Sequence, residues 1–563
     1  MKRTTAQDYF LATLLYTCLT LACFYPILPH ISNALIGPPE DNMVFLWFLW
    51  HGSEALSRPD WNLMHTTMMY APEGMGLEYA NYFYVGVVVT YLLKSFLGLV
   101  TIFNLLIITS FITAGLSTYA LIRYITRHHV AALVGGIVFA FNPYHFGHAE
   151  HHITLANIQF LPLVLLFVLR MLREKHLGFA LLAGLSMALA SWCDWNYLLY
   201  TTLLCLFIFL YRIIRHRGRV LLMDIRQFSV MAILCFALLA PILIPMISIG
   251  MANQNPANYL PGSDKYVADL WGFITPHMSH WSTQISAWVQ GMNSKFTGNA
   301  WEKAVYLGLV NILLICVARI WKDKATWPYF LGLGAFMIFA LGVSLHIGGR
   351  IIPAWMPYDI LEKIPLFKHA RNPSRIIIYA YLCLSVLVAF AWKIQFGANK
   401  MNLKKWIVAV VVATLIIVDF YQPVNAMTPV QLPACYQPIL KDEAYANKDF
   451  MILDIPWDGG RYAMYQTLHG VPGLQGYLGR KFGVSLISKI PFDAQRIPLQ
   501  KLILTKKNVK YIIFHKNKLD WTGKSEKDKF VYQYGTHNMV ENYKKVYDVV
   551  YEDKNATTFK VFE

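Results

Sequence analysis

The sequence predicts an α-helical polytopic membrane protein with about eleven transmembrane helices, additional interfacial helices and a small C-terminal α/β extracytoplasmic domain. Three observations lead there. The 563-residue chain is 56% hydrophobic and 15% aromatic with only 14% charged residues, too apolar for a soluble globular chain. Apolar runs near the roughly 20 residues needed to cross a bilayer recur from Phe10 onward. Beyond residue 421 the chain turns polar, with strand-like runs at 450–455 and 511–514, a hairpin signal around Asp553 to Asn555, and helical stretches between them.

The first apolar run, 10–28, follows Lys2 and Arg3 and reads as a retained helix. No small-x-small cleavage site follows it, and Pro26 and Pro29 lead into a loop. Spans are predicted at 10–29, 101–122, 130–144, 155–172, 177–193, 196–212, 227–249, 302–320, 328–346, 376–392 and 405–421. A further run, 82–100, is interrupted by Gly86, Lys94 and Gly98. If it does not cross, Arg123/Arg127, Arg170/Arg173/Lys175, Arg212/Arg215/Arg217/Arg219, Arg319/Lys322/Lys324 and Lys393/Lys400/Lys404/Lys405 all fall on the N-terminal side, as the excess of cations in cytoplasmic loops requires. It is therefore assigned as interfacial or re-entrant.

This topology makes 1–421 a transmembrane domain with extracytoplasmic loops at 30–100, 250–301 and 347–375, and 422–563 an extracytoplasmic α/β domain. The N-terminus is cytoplasmic, in a bacterial-type plasma membrane. The net charge of +17 then expresses topology, not nucleic-acid binding. Six of the eight cysteines lie inside apolar runs, and no CxxC spacing occurs, which argues against zinc and redox sites built on cysteine. The two halves of the membrane region do not mirror each other, unlike transporters built from inverted repeats.

Chemistry-bearing residues gather at the outer ends of the predicted helices. Glu40 and Asp41 precede an aromatic-rich helical segment, 43–54, expected along the membrane surface. Asp41 reads either as a helix cap or as a carboxylate general base. His145, His148 and His152 would share a helical face at i, i+3 and i+7 with Glu150 nearby. They read as a divalent-metal site (His148, His152, Glu150), as a polar patch that hydrogen-bonds substrate, or as interfacial histidines of no special role. Asp194, between two spans with almost no connecting loop, reads as a turn residue or as a substrate ligand. Arg371 and Arg375 oppose the charge bias of the other loops and read as headgroup anchors or as ligands of a lipid phosphate. The loop 249–301 carries Trp271, Trp281 and Trp288, suited equally to sugar stacking and to an interfacial belt. Arg461, His469 and Arg480 either reach the substrate or hold the C-terminal domain together.

Taken together, these features resemble the GT-C superfamily of membrane glycosyltransferases over nearly the whole chain. The resemblance rests on the acidic pair after the first span, the long first outer loop, the tract Ala140-Phe141-Asn142-Pro143-Tyr144 and the C-terminal domain. The stretch Pro357-Tyr358-Asp359-Ile360-Leu361 through Arg371-Asn372-Pro373-Ser374-Arg375, with Asp454-Ile455-Pro456-Trp457 and Gly476-Tyr477-Leu478-Gly479-Arg480, is similar to a group of bacterial GT-C-like proteins. The resemblance implies Asp41 as the catalytic acidic residue and a sugar on a polyprenyl phosphate as donor. The acceptor would be an extracytoplasmic glycan, lipid or protein, and direct displacement would invert the anomeric carbon. No Gly-rich phosphate loop is recognisable that would hold a nucleotide sugar. The rival from another class is a transporter, flippase or assembly scaffold for lipid-linked saccharides.

Overall fold

A computed structural model describes residues 5–215, 222–252, 263–284, 286–364, 367, 370–397, 402–456, 458–476, 486–492, 494–516 and 537–563. The chain divides into two compact units: residues 1–29, 83–85 and 104–426, and residues 30–82, 86–103 and 427–563.

The first unit is helical. Helices occur in all eleven predicted segments. Among the described residues, five are long and apolar enough to cross a membrane: Leu99–Thr126, Ile153–Glu174, Trp195–Arg215, Leu222–Ile249 and Pro373–Phe396. A sixth is possible if His129–Ala140 and Pro143–His151, bent by 42°, act as one span. The protein is thus an integral, multi-pass α-helical membrane protein. The predicted run 302–320 is helical only over Leu309–Ala318, at about 1.5 Å per residue roughly half a hydrocarbon core. Gly308 takes φ +85 there, so the helix begins after it and Glu302 lies in a separate turn, Trp301–Lys303. Run 82–100 breaks similarly into the short helix Tyr84–Leu93 and a turn.

One helix is enclosed by the others. Ile377–Phe396 packs against His129–Ala140, Leu309–Ala318 and Trp327–Ala340, and 94% of its apolar window is buried. Its side chains are apolar all round, the pattern of a helix with no lipid-facing side. Small residues allow the close approach. A Cβ on Gly135 would lie 2.8 Å from the Ser385 carbonyl oxygen. Gly115 and Gly136 make room for Tyr16, whose hydroxyl donates to the Leu133 carbonyl at 3.0 Å and ties the first helix to His129–Ala140.

The second unit is built on a four-stranded mixed sheet in the order Met451–Ile455, Val509–His515, Ala556–Lys560, Asp548–Glu552. The first pair is parallel and the rest antiparallel, with Ala556–Lys560 and Asp548–Glu552 forming the terminal hairpin. The parallel step needs a crossover, and helices Gly459–His469 and Ile497–Lys506 lie between those strands in sequence. Residues 34–36 pair antiparallel with residues 427–429. The helix Asp41–Ala55, expected on the membrane surface, is instead mostly buried within this unit: Trp47 is fully covered, and its indole donates to Gln466 Oε1 at 2.6 Å. The physical reason is its run of apolar residues from Met43 to Leu49, which leaves it no polar face.

Gly136→Val forces Tyr16 out of its seat, so the detergent-solubilised variant should be less stable than wild type by about 1–3 kcal/mol, read as a lowered unfolding midpoint. An unchanged midpoint would show that this helix contact is not a tight one.

Candidate functional site

The polar interior of the first unit centres on Glu302, which is buried in the turn before Leu309–Ala318. Its Oε1 accepts from Arg375 Nε at 2.9 Å, Arg375 Nη2 at 2.6 Å and Asn372 Nδ2 at 2.7 Å, and its Oε2 accepts from the Ser374 hydroxyl at 2.8 Å. A carboxylate removed from water needs donors, and here one short segment supplies four. Tyrosines surround this pair. Tyr144 and Tyr197 share a hydroxyl contact at 3.2 Å, Tyr200 donates to the Asn372 carbonyl at 3.3 Å, and Tyr379 bonds Thr201 at 2.6 Å. Of the two predicted phosphate ligands, Arg375 therefore has two nitrogens committed to Glu302. Arg371 is half-buried, its guanidinium 5.6 Å from the Tyr266 ring centre.

Asp194 is buried and serves the junction between Leu177–Cys193 and Trp195–Arg215: its Oδ1 accepts from the Asn196 backbone N–H at 2.9 Å and side chain at 2.7 Å, and its Oδ2 from Thr154 at 3.0 Å. His145 uses both ring nitrogens, toward Ser110 at 2.9 Å and the Ala140 carbonyl at 2.7 Å, and stacks on Phe111. His148 and His152 meet through their Nδ1 atoms at 3.3 Å. His148 Nε2 is buried with no hydrogen-bond partner among the described residues. The shared helical face does not form, because the helix Pro143–His151 ends before His152. The Glu150 carboxylate accepts from the backbone N–H groups of Asn425 and Ala426. Among the described residues, no group of three or more His, Cys, Asp or Glu is arranged to hold a metal.

In the second unit, Asp41 is the first residue of Asp41–Ala55 and half-buried, while the exposed Glu40 occupies the cap position without a side-chain cap bond. A carboxylate in the first helical turn meets the positive end of the helix dipole. Asn42 Nδ2 donates to the Ile36 carbonyl at 3.0 Å, which holds the turn before the helix. His469 is buried, stacks on Tyr436 and accepts from the Val471 N–H at 3.0 Å through Nδ1. Arg461 pairs with Asp458 at 3.4 Å. Arg480 lies outside the described residues. Glu40, Asp41 and His469 thus belong to one unit, and Asp194, His145, His148, Glu150, His152, Arg371 and Arg375 to the other. Glu302 and the tyrosines escaped the sequence reading. The available signal was an acidic residue at the edge of an apolar run, which must pair with a cation such as Arg375.

A family described as a domain of unknown function, DUF6311, matches residues 50–421, well over half of the chain. The chain belongs to the DUF6311 family. Curated proteins yield no match to it. Solved structures do. The Archaeoglobus fulgidus oligosaccharyltransferase tethered with an acceptor peptide containing the NVT sequon superposes with a TM-score of 0.55 at 12% identity, over 99% of this chain and 74% of that one. The arabinofuranosyltransferase AftD from Mycobacteria gives 0.58 at 10% identity, over 100% of this chain and 40% of that one. The A. fulgidus enzyme complexed with Zn and sulfate gives 0.50 at 13% identity, over 97% and 72%. At these identities the likeness concerns the fold alone: the DUF6311 chain shares the fold of the oligosaccharyltransferase and of AftD.

Two expectations follow. Glu302→Ala strands Arg375 as an unpaired buried cation and should cost about 3–5 kcal/mol of stability. The double variant Glu302→Leu/Arg375→Met should recover much of that loss, both read from unfolding midpoints in detergent. The second concerns acid. Burial is the main cause that lowers His51 and His469 from the ordinary 6.5 to about 4, with His65 adding to it at His51. These folded values lie below the unfolded one, so the neutral rings stabilise the second unit fully above pH 6.5. That stability is lost as pH falls from 6.5 through about 4. Unfolding midpoints measured across that window should fall, and a flat profile would contradict the assignment.

Proposed function

We propose that this DUF6311 protein is a membrane glycosyltransferase that transfers a sugar from a polyprenyl-phosphate-linked donor to an extracytoplasmic acceptor. The observation that carries the reading is the whole-chain likeness of fold to two proteins named for sugar transfer, an oligosaccharyltransferase and an arabinofuranosyltransferase. In this reading the eleven helical segments are spans, the N-terminus is cytoplasmic, and the loops 30–100, 250–301 and 347–375 lie outside with the C-terminal domain 422–563. The lipid-linked donor follows from that topology, because a nucleotide sugar is confined to the cytoplasm, where the chain offers only short basic loops.

Asp41 is the proposed general base. It takes the proton from the acceptor hydroxyl as that oxygen attacks the anomeric carbon, and the lipid phosphate leaves with the bonding electrons. One displacement gives inversion. Its support is a half-buried carboxylate at a helix start. In the first unit, Arg371 is proposed as a ligand of a lipid phosphate, its fork of N–H donors matching phosphate oxygens. His148 Nε2 is proposed as a further substrate contact in that unit.

Asp41→Asn should lower transfer by about 10²–10⁴-fold, the usual worth of a general base, with stability changed by less than about 1 kcal/mol. Single-turnover transfer of labelled sugar in lipid nanodiscs checks it, together with the anomeric configuration of the product. A transfer rate equal to wild type, or a retained configuration, would overturn Asp41 as the base of a direct displacement.

A further inference from the structure

The second unit contains a pocket that none of these roles uses. Met69, Asp454, Tyr462, Gln466, His469 and Gly473 are among the residues that line it. Asp454 is buried near the end of the strand Met451–Ile455. Its Oδ1 accepts from the Tyr436 hydroxyl at 2.5 Å and from His515 Nε2 at 2.9 Å, while its Oδ2 accepts from no described residue. His469 accepts the Val471 N–H on Nδ1, so the neutral ring carries its proton on Nε2, and no described residue takes that proton. The side walls are already satisfied. Gln466 accepts from Trp47 and donates to the Met68 and Val471 carbonyls, and Gln475 clips the Asp454 backbone through its amide. What remains is one carboxylate acceptor and one imidazole donor.

The pocket volume is about 20 Å³, room for one water-sized group. A group that meets both must donate to Asp454 and accept from His469. A hydroxyl does both; a carboxylate would be repelled by Asp454, and an ammonium has no lone pair for the imidazole N–H. We infer that this pocket receives one hydroxyl of a neutral saccharide, which makes it a docking point for a glycan acceptor. The inference rests on the proposed sugar transfer for its biological meaning, but binding at the pocket is measurable without turnover.

The test is saturation-transfer NMR on the full chain in nanodiscs with methyl glucoside, galactoside and mannoside, and in parallel with a serine-containing peptide. A Cβ on Gly473 would have its nearest neighbours at 3.7 and 3.9 Å, so Gly473→Val fills the pocket without a clash at that atom, and Gly473→Ala fills it less. Wild type should show saturation transfer from at least one glycoside. Gly473→Val should reduce it at least tenfold at an unchanged unfolding midpoint, with Gly473→Ala intermediate. If Gly473→Val does not fold, the Gly473→Ala reduction decides. No glycoside signal, a signal indifferent to the Gly473 variants, or a signal from the peptide alone would overturn the inference. Glycoside binding in a protein that transfers nothing would leave the pocket standing and refute the glycosyltransferase reading.

Discussion

A charge enclosed among apolar helices is tolerable only with partners, and in this chain that constraint falls on Glu302. Four hydrogen bonds from Asn372, Ser374 and Arg375 converge on its carboxylate. They bind the turn Trp301–Lys303 to the segment that begins the enclosed helix Ile377–Phe396. Because that helix is packed on by three others, the position of one ion pair bears on the register of much of the first unit. The tyrosines around it extend the same logic, each hydroxyl finding a carbonyl or another hydroxyl.

The second unit solves a different problem. Its sheet strand Met451–Ile455 is buried along its whole length and its first helix, Asp41–Ala55, has almost no polar face. Each needs cover from residues far away in sequence. The helix rests on Gly459–His469, where Gly460 brings the backbone close to Met43, and the Trp47 to Gln466 bond fixes the contact. Asp41 is held at the start of that supported helix, and the Asp454 pocket opens beside the other end of Gly459–His469.

Membrane character and the approximate helix positions were legible because long apolar runs have few other destinations. The strands at 451–455 and 509–515 and the hairpin after Glu552 were legible from β-branched runs and an Asp-Lys-Asn turn. What failed depended on partners distant in sequence or on single backbone angles. Run 302–320 looked like one continuous helix, but the positive φ of Gly308 breaks it and moves Glu302 out of the helix. The histidine face looked continuous at i, i+3 and i+7, yet the helix stops at His151 and His145 is consumed by Ser110 and Ala140. Asp194 matches the turn reading offered for it in its bonds to Asn196. The donors to Glu302 lie some seventy residues onward, beyond any local pattern.

The most direct measurement is donor use. Purified protein in lipid nanodiscs would be offered a panel of radiolabelled polyprenyl-phosphate sugars and, separately, nucleotide sugars, each with a membrane-glycan extract as acceptor. Release of polyprenyl phosphate with label passing into the glycan, and no transfer from nucleotide sugars, is the expected result. Transfer from a nucleotide sugar alone, or saturable binding of lipid-linked saccharide without consumption of any donor, would contradict the account.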